Sequence, residues 1–191
     1  VSLFPFVPNP PYCCDRLNII MVQFRPDVLN MGGNRGIITF SVQTENSQSA
    51  PAETIAAPDF SAVDGDGNEV RLSDYFGKPI VLNFWASWCP PCKAEMPHFE
   101  NAFQERTDIQ FLMVNMTTSS RESLKAAKAF IAEEGYTFPV LFDTEGAAAA
   151  AYGASSLPIT FFIDKNGNLV TYGVGMLSAE ILEKGMGMIA E

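Results

Sequence analysis

Two cysteines separated by two prolines, Cys89-Pro90-Pro91-Cys92, are the residues whose types and spacing carry chemistry in this chain. Trp88 precedes them and Lys93 follows. A pair spaced this way at the mouth of a helix can hold one easily reversed disulfide. A free thiol titrates near ~8.5, but helix N-termini and C-x-x-C settings lower it to roughly 3.5–7.5. The chemistry this suggests is thiol–disulfide exchange. A zinc half-site or a structural disulfide would use the same residues.

The flanking sequence supplies the helix mouth. Ile80-Val81-Leu82, within the run from Pro79 to Trp85, has the near-continuous apolar character of a strand buried on both faces. After the cysteines, Met96, Phe99 and Phe103 recur at i, i+3 and i+7, as one buried helix face requires. The pair therefore lies where a buried strand hands over to a helix.

Composition narrows the partners. A chain of 191 residues that is 47% hydrophobic can build one domain with a substantial core. Its net charge of −10 argues against nucleic acid or an anionic membrane surface as a partner. No run approaches the ~18 apolar residues of a membrane helix. The four cysteines fall into two pairs, Cys13-Cys14 and Cys89-Cys92. His98 is the single histidine and no second C-x-x-C exists, so a four-ligand zinc site lacks ligands.

Residues 1–52 read as a tail or linker and 53–191 as the folded domain. Pro5, Pro8, Pro10 and Pro11 crowd the start, and helical periodicity is absent. Flexibility is expected there. Ile37–Val42 has strand character without an obvious partner, and Cys13-Cys14 reads as incidental because neighbouring cysteines bridge only with strain. Ile19–Val22 is too short, and lacks the cationic flank, for a good secretory signal.

From Pro58 onward the elements become regular. Phe60–Val63 and Glu69–Leu72 flank Asp64-Gly65-Asp66-Gly67-Asn68, a hairpin whose acidic turn lacks the glycine and glutamate of a calcium loop. Ile109–Val114 is a second buried strand. Ser119-x-x-Glu122 has the form of a capping box opening a helix with Leu124, Ala127 and Ile131 inward and Gly135 as its stop. Phe138–Phe142 follows as a strand and Ala147–Tyr152 as a short helix ended by Gly153. Ile159–Ile163 and Leu169–Val174 flank Asp164-Lys165-Asn166-Gly167, a hairpin turn, and Ser178 caps a last helix. The fold class expected is α/β with a mixed sheet flanked by helices.

Val81–Lys93 and Leu157–Asp164 resemble the thioredoxin superfamily closely, over roughly residues 55–191. The resemblance implies a thioredoxin fold with an N-terminal β-hairpin. It implies that Cys89 is the nucleophile and that Cys92, one turn on and on the same face, attacks the mixed disulfide. Pro90 and Pro91 fall where N–H groups are unpaired anyway, and stiffen the turn. Pro97 falls inside the helix, as in the family, and is expected to kink it. Leu157-Pro158 resembles the cis-proline segment that faces the disulfide and offers backbone hydrogen bonds to a substrate strand.

Asn83 stands where thioredoxins carry a buried titrating Asp, and Glu95 on the Cys92 face is the substitute. Burial beside the cysteines is expected to raise its pKa, as a proton acceptor near neutrality requires. The alternative is a surface glutamate supporting the first turn. The stretch from Cys92 to Pro158 is longer than a minimal thioredoxin allows and holds an inserted β-α element. With Trp-Cys-Pro-Pro-Cys-Lys-Ala-Glu-Met-Pro, these traits resemble the TlpA/ResA family of extracytoplasmic oxidoreductases.

That resemblance implies protein thiols and disulfides as substrates, an upstream electron-donor protein, and no cofactor beyond the Cys89–Cys92 disulfide. It implies a periplasmic or envelope location, a membrane tether ahead of the domain, a monomer, and often a role reducing apocytochrome c before haem attachment. A general reductase without a dedicated client, or a thioredoxin-fold binding module, are the competing readings. A peroxiredoxin would need Thr or Ser at Ala86 and Pro at Leu82. Trp85 and Trp88 are expected to pack and cover the disulfide, His98 to sit half-exposed on its helix, and Lys78 and Lys93 to be solvated.

Overall fold

The computed structural model describes residues 21–23 and 54–190. The expectations for Cys13-Cys14 and Ile37–Val42 lie outside these. The elements are strands β1 (Met21–Gln23), β2 (Ile55–Ala56), β3 (Ser61–Val63) and β4 (Glu69–Arg71), a short 3-10 turn at Leu72–Tyr75, strand β5 (Ile80–Trp85) and helix α1 (Pro90–Glu105). They continue as β6 (Gln110–Asn115), α2 (Leu124–Glu134), β7 (Val140–Phe142), α3 (Ala147–Tyr152), β8 (Ile159–Ile163), β9 (Asn168–Val174) and α4 (Ala179–Ile189).

One mixed sheet runs in the order β1-β9-β8-β5-β6-β7-β3-β4, with β2 also on β9. β5, β6 and β7 are parallel, and β8 returns antiparallel to β5. This is the thioredoxin fold, the hairpin β3–β4 at one edge and α2–β7 inserted between α1 and β8. Met21–Gln23 pairs with Gly173–Thr171 at the opposite edge. This strand falls within residues 1–52, whose sequence reads as a tail or linker.

Strand alternation divides the core. On β5, Val81 and Trp85 face a cluster shared with Met96 and Phe99 of α1, Phe130 of α2, and Leu182 and Met186 of α4. Ile80, Leu82 and Phe84 face a second cluster with Leu72, Tyr152, Phe161 and Ile163. Each aliphatic or aromatic side chain so buried contributes about 1.5–3 kcal/mol. Asn83, in phase with Val81 and Trp85, therefore points a polar amide beneath α1.

Both hairpin turns use one device. Asp64 accepts the Asp66 and Asn68 N–H groups and the Asn68 amide, and Asp164 repeats this with Asn166 and Asn168. Gly67 and Gly167 take the positive φ that each turn requires. The run Asp64–Asn68 is thus a turn, as its sequence says. α4 crosses β8 closely at Gly185, where a Cβ would stand 2.3 Å from Phe162 Cζ.

The helix ahead of Gly135 opens differently from its expected capping box. Ser123, not Ser119, caps it, accepting the Ala126 N–H at 3.1 Å. Leu124 is exposed, and Phe130 takes the inward place beside Ala127. The reason is that Glu122 is diverted to another partner.

Candidate active site

The last residues of β5 lead directly into α1 through Ala86–Cys89. Cys89 is the N-cap of α1, and Pro90 and Pro91 occupy the first positions, where their missing N–H groups cost nothing. The Cys92 N–H points at Cys89 Sγ, 3.3 Å away. A sulfur at an N-cap with a backbone donor on it is placed to be stabilised as a thiolate. Cys89 and Cys92 form a disulfide with Cα atoms 5.3 Å apart. Cys92 is fully enclosed and Cys89 is 3% exposed. Pro97 lies within α1, which runs on to Glu105.

One turn beyond Cys92, Glu95 is 0% exposed, so it is no surface support for the helix. Its Oε1 accepts the Asn83 amide at 2.8 Å and its Oε2 the Leu177 N–H at 2.8 Å. Burial pushes the carboxyl up to about 8, against the lowering pull of those two donors. Asn83 also donates to Thr160 Oγ1 at 3.0 Å. The amide thus ties α1 to β8 as well as to the carboxyl.

Leu157-Pro158 is a cis peptide bond. Ile159 pairs with Phe84, so Pro158 enters β8 beside the end of β5 that leads to Cys89. Pro158 O accepts the Gly175 N–H at 2.9 Å, and half-buried Leu157 packs against both core clusters. Trp85 is wholly buried against Phe130, ring centroids 5.8 Å apart. Trp88 is half-buried, and its indole N–H donates to Ser119 Oγ at 3.4 Å. His98 is half-buried on α1 and has no part in these contacts.

Glu122 is the residue at this site that its sequence pattern concealed. It is buried, and its carboxylate accepts the Ser87 N–H at 2.5 Å and the Ser87 hydroxyl at 2.9 Å. It also accepts the Ser123 N–H at 3.0 Å and the Asn115 amide at 3.4 Å. The turn before α2 thus grips the loop that carries Cys89. Read alone, Ser119-x-x-Glu122 looks local, and no sequence spacing reveals a partner so far back along the chain.

A helix-capping disulfide, a buried carboxyl one turn beyond it and a cis-proline opening the strand beside β5, on this sheet, define a thioredoxin-fold thiol–disulfide oxidoreductase. Residues 54–172 match the AhpC/TSA family, and the chain belongs to that family. It is 38% identical to the thiol-disulfide oxidoreductase ResA of Geobacillus kaustophilus over 74% of this chain and 79% of that protein.

Among solved structures, a thiol:disulfide interchange protein of the thioredoxin family from Chlorobium tepidum superposes with a TM-score of 0.65. It is 27% identical, over 74% of this chain and 100% of that one. An exposed lipoprotein thioredoxin of Streptococcus pneumoniae gives a TM-score of 0.60. It is 36% identical, over 68% of this chain and 98% of that one. The protein is accordingly a thiol–disulfide oxidoreductase of ResA type, an enzyme that works on protein thiols through its own disulfide.

Proposed function

We propose that the protein is an extracytoplasmic dithiol reductase, with apocytochrome c as its client. In its reduced form the Cys89 thiolate attacks a client disulfide. One client sulfur leaves as thiolate and a mixed disulfide forms. Cys92 then gives its proton to the Glu95 carboxylate and attacks Cys89 Sγ, and the second client sulfur leaves. Two electrons pass to the client and the Cys89–Cys92 disulfide remains. An electron-donor protein reverses the cycle, and Glu95 returns the proton to Cys92.

The single observation that carries this reading is Glu95, held under the disulfide by Asn83 and Leu177 with its carboxyl raised to about 8. A carboxyl so placed carries a proton at neutral pH in the disulfide form, the state in which resolution by Cys92 leaves it. Pro158 and Leu157 present the client-facing backbone, and Trp88 covers the pair. The protein acts as a monomer, tethered to the membrane ahead of its folded domain. Names such as the exposed lipoprotein of Streptococcus pneumoniae support the location.

The test is a trapping experiment with a disulfide peptide bearing the Cys-x-x-Cys-His haem-attachment sequence. Cys92→Ser is expected to hold the peptide as a mixed disulfide on Cys89, and wild type to release it reduced. Trapping of that peptide no better than of a scrambled cystine peptide would leave a general reductase. No trapping of either would leave a binding module.

A further inference from the structure

The disulfide lies beside two cations, Lys93 and Arg121, that form no ion pair among the described residues, in a chain of net charge −10. Arg121 is exposed, its Cζ 3.7 Å from the centre of the Trp88 ring, and Trp88 immediately precedes Cys89. Exposed Lys93 immediately follows Cys92 and lies 4.8 Å over the Phe130 ring. Both rings pack on the core cluster that contains Cys89 and Cys92. The ion pairs among the described residues involve Arg71 and Arg106 and leave Lys93 and Arg121 out.

The charge order on α2 points the same way. Lys125 stands in its first turn, four residues beyond Arg121, and Glu133 and Glu134 at its C-terminal end, while Lys128 donates to Gly65 O at 2.8 Å on the β3–β4 turn. A helix dipole favours the reverse placement, so helix stability does not account for Lys125. Glu122, next to Arg121 in the chain, is spent on Ser87, Ser123 and Asn115, and Glu95 is buried on Asn83 and Leu177. A guanidinium stacked by its face keeps its N–H edge open to a carboxylate.

We infer that Lys93 and Arg121 form a docking rim for an acidic segment flanking the reactive cysteine of a protein partner. This rests on the exchange chemistry proposed above and adds to it the charge of the partner that is selected. Attraction across such a rim acts mainly on the rate of encounter, and salt screens it. The electron-transfer step is unchanged: each partner disulfide accepts two electrons from the Cys89–Cys92 dithiol.

Three synthetic peptides of equal length, each closed by one internal disulfide, provide the test. Their flanks are aspartate, serine or lysine. Oxidation of the full reduced chain is followed by stopped-flow tryptophan fluorescence at low and high salt. The aspartate peptide is expected to react about tenfold faster than the serine peptide at low salt, and the lysine peptide more slowly. High salt should bring the three rates together. The double variant K93Q/R121Q should cut the aspartate advantage to about twofold or less.

Equal rates for the aspartate and serine peptides in wild type would overturn the rim. So would a double variant that slows all three alike, since the cations would then serve only the thiolate. A protein that none of the three peptides oxidises would fail as an oxidoreductase first.

Discussion

Asn83 and Glu95 are joined across 2.8 Å, amide to carboxylate, between the middle of β5 and the second turn of α1. A titrating residue at the Asn83 position would compete with Glu95 for the same proton. An amide cannot, so in the proposed cycle the proton that Cys92 gives up goes to Glu95. The bond also fixes the orientation of the carboxyl, because Leu177 holds its other oxygen.

Replacing Glu95 by Gln removes the proton acceptor while keeping its size. Resolution of the mixed disulfide is expected to slow by about a hundredfold at neutral pH. The pH dependence of exchange should also lose the ionisation near 8. Stopped-flow traces from pH 5 to 10 check both (about the range in which thiols and this carboxyl ionise). An unchanged profile would remove Glu95 from the chemistry.

Stability carries the same signature. The folded carboxyl, at about 8, holds its proton above the ordinary 4.5, so the native state binds more protons than the unfolded chain between those values. Native stability must then fall as pH rises through that window and level off above it, by at most about 1.4 kcal/mol per pH unit. Urea melts of oxidised Glu95→Gln should lack this slope. A parallel slope in both proteins would mean the carboxyl is not raised.

Glu122→Ala leaves the Ser87 N–H, its hydroxyl and the Asn115 amide without their carboxylate. The cost expected is about 1–3 kcal/mol of stability. Trp88, next along the loop, should show broadened fluorescence and faster quenching. Glu122→Gln should recover part of both. If the alanine variant changed stability but not Trp88 quenching or the exchange rate, Glu122 would hold α2 rather than the cysteine loop.

Gly185→Ala drives a methyl group into the Phe162 ring, within 2.3 Å of Cζ. Neither the α4 backbone nor a buried ring on β8 yields easily, so a loss of about 1–3 kcal/mol is expected in urea. Gly187, open to space on the same helix, is the control. Its alanine variant should be neutral or slightly stabilising, since alanine outranks glycine in a helix.

Much of the site was legible because its signals are local. The Cys89–Cys92 spacing, the apolar strand before it and the Pro158 strand each lie within one short run. Their meeting follows from the β5–β8 pairing. Both aspartate turns, the bounds of α3 and the Ser178 cap were equally local. Glu122 was not, because its capping pattern is satisfied on paper by Ser119, whereas Ser87 competes from the far side of α1 and wins. Ser123 then caps α2, and Leu124 turns outward with the shifted helix start. Met21–Gln23 escaped detection because an edge strand needs only a partner's backbone, and periodicity does not report that.

The most direct test of the central claim is a redox titration of the Cys89–Cys92 disulfide followed by the fluorescence of Trp85 and Trp88. A reversible two-electron transition in the reducing range, near the thioredoxin value of about −270 mV, is the predicted result. A transition near about −120 mV would make the protein an oxidant, contradicting the proposed direction. A disulfide still intact well below about −300 mV would be structural, and would contradict the account outright.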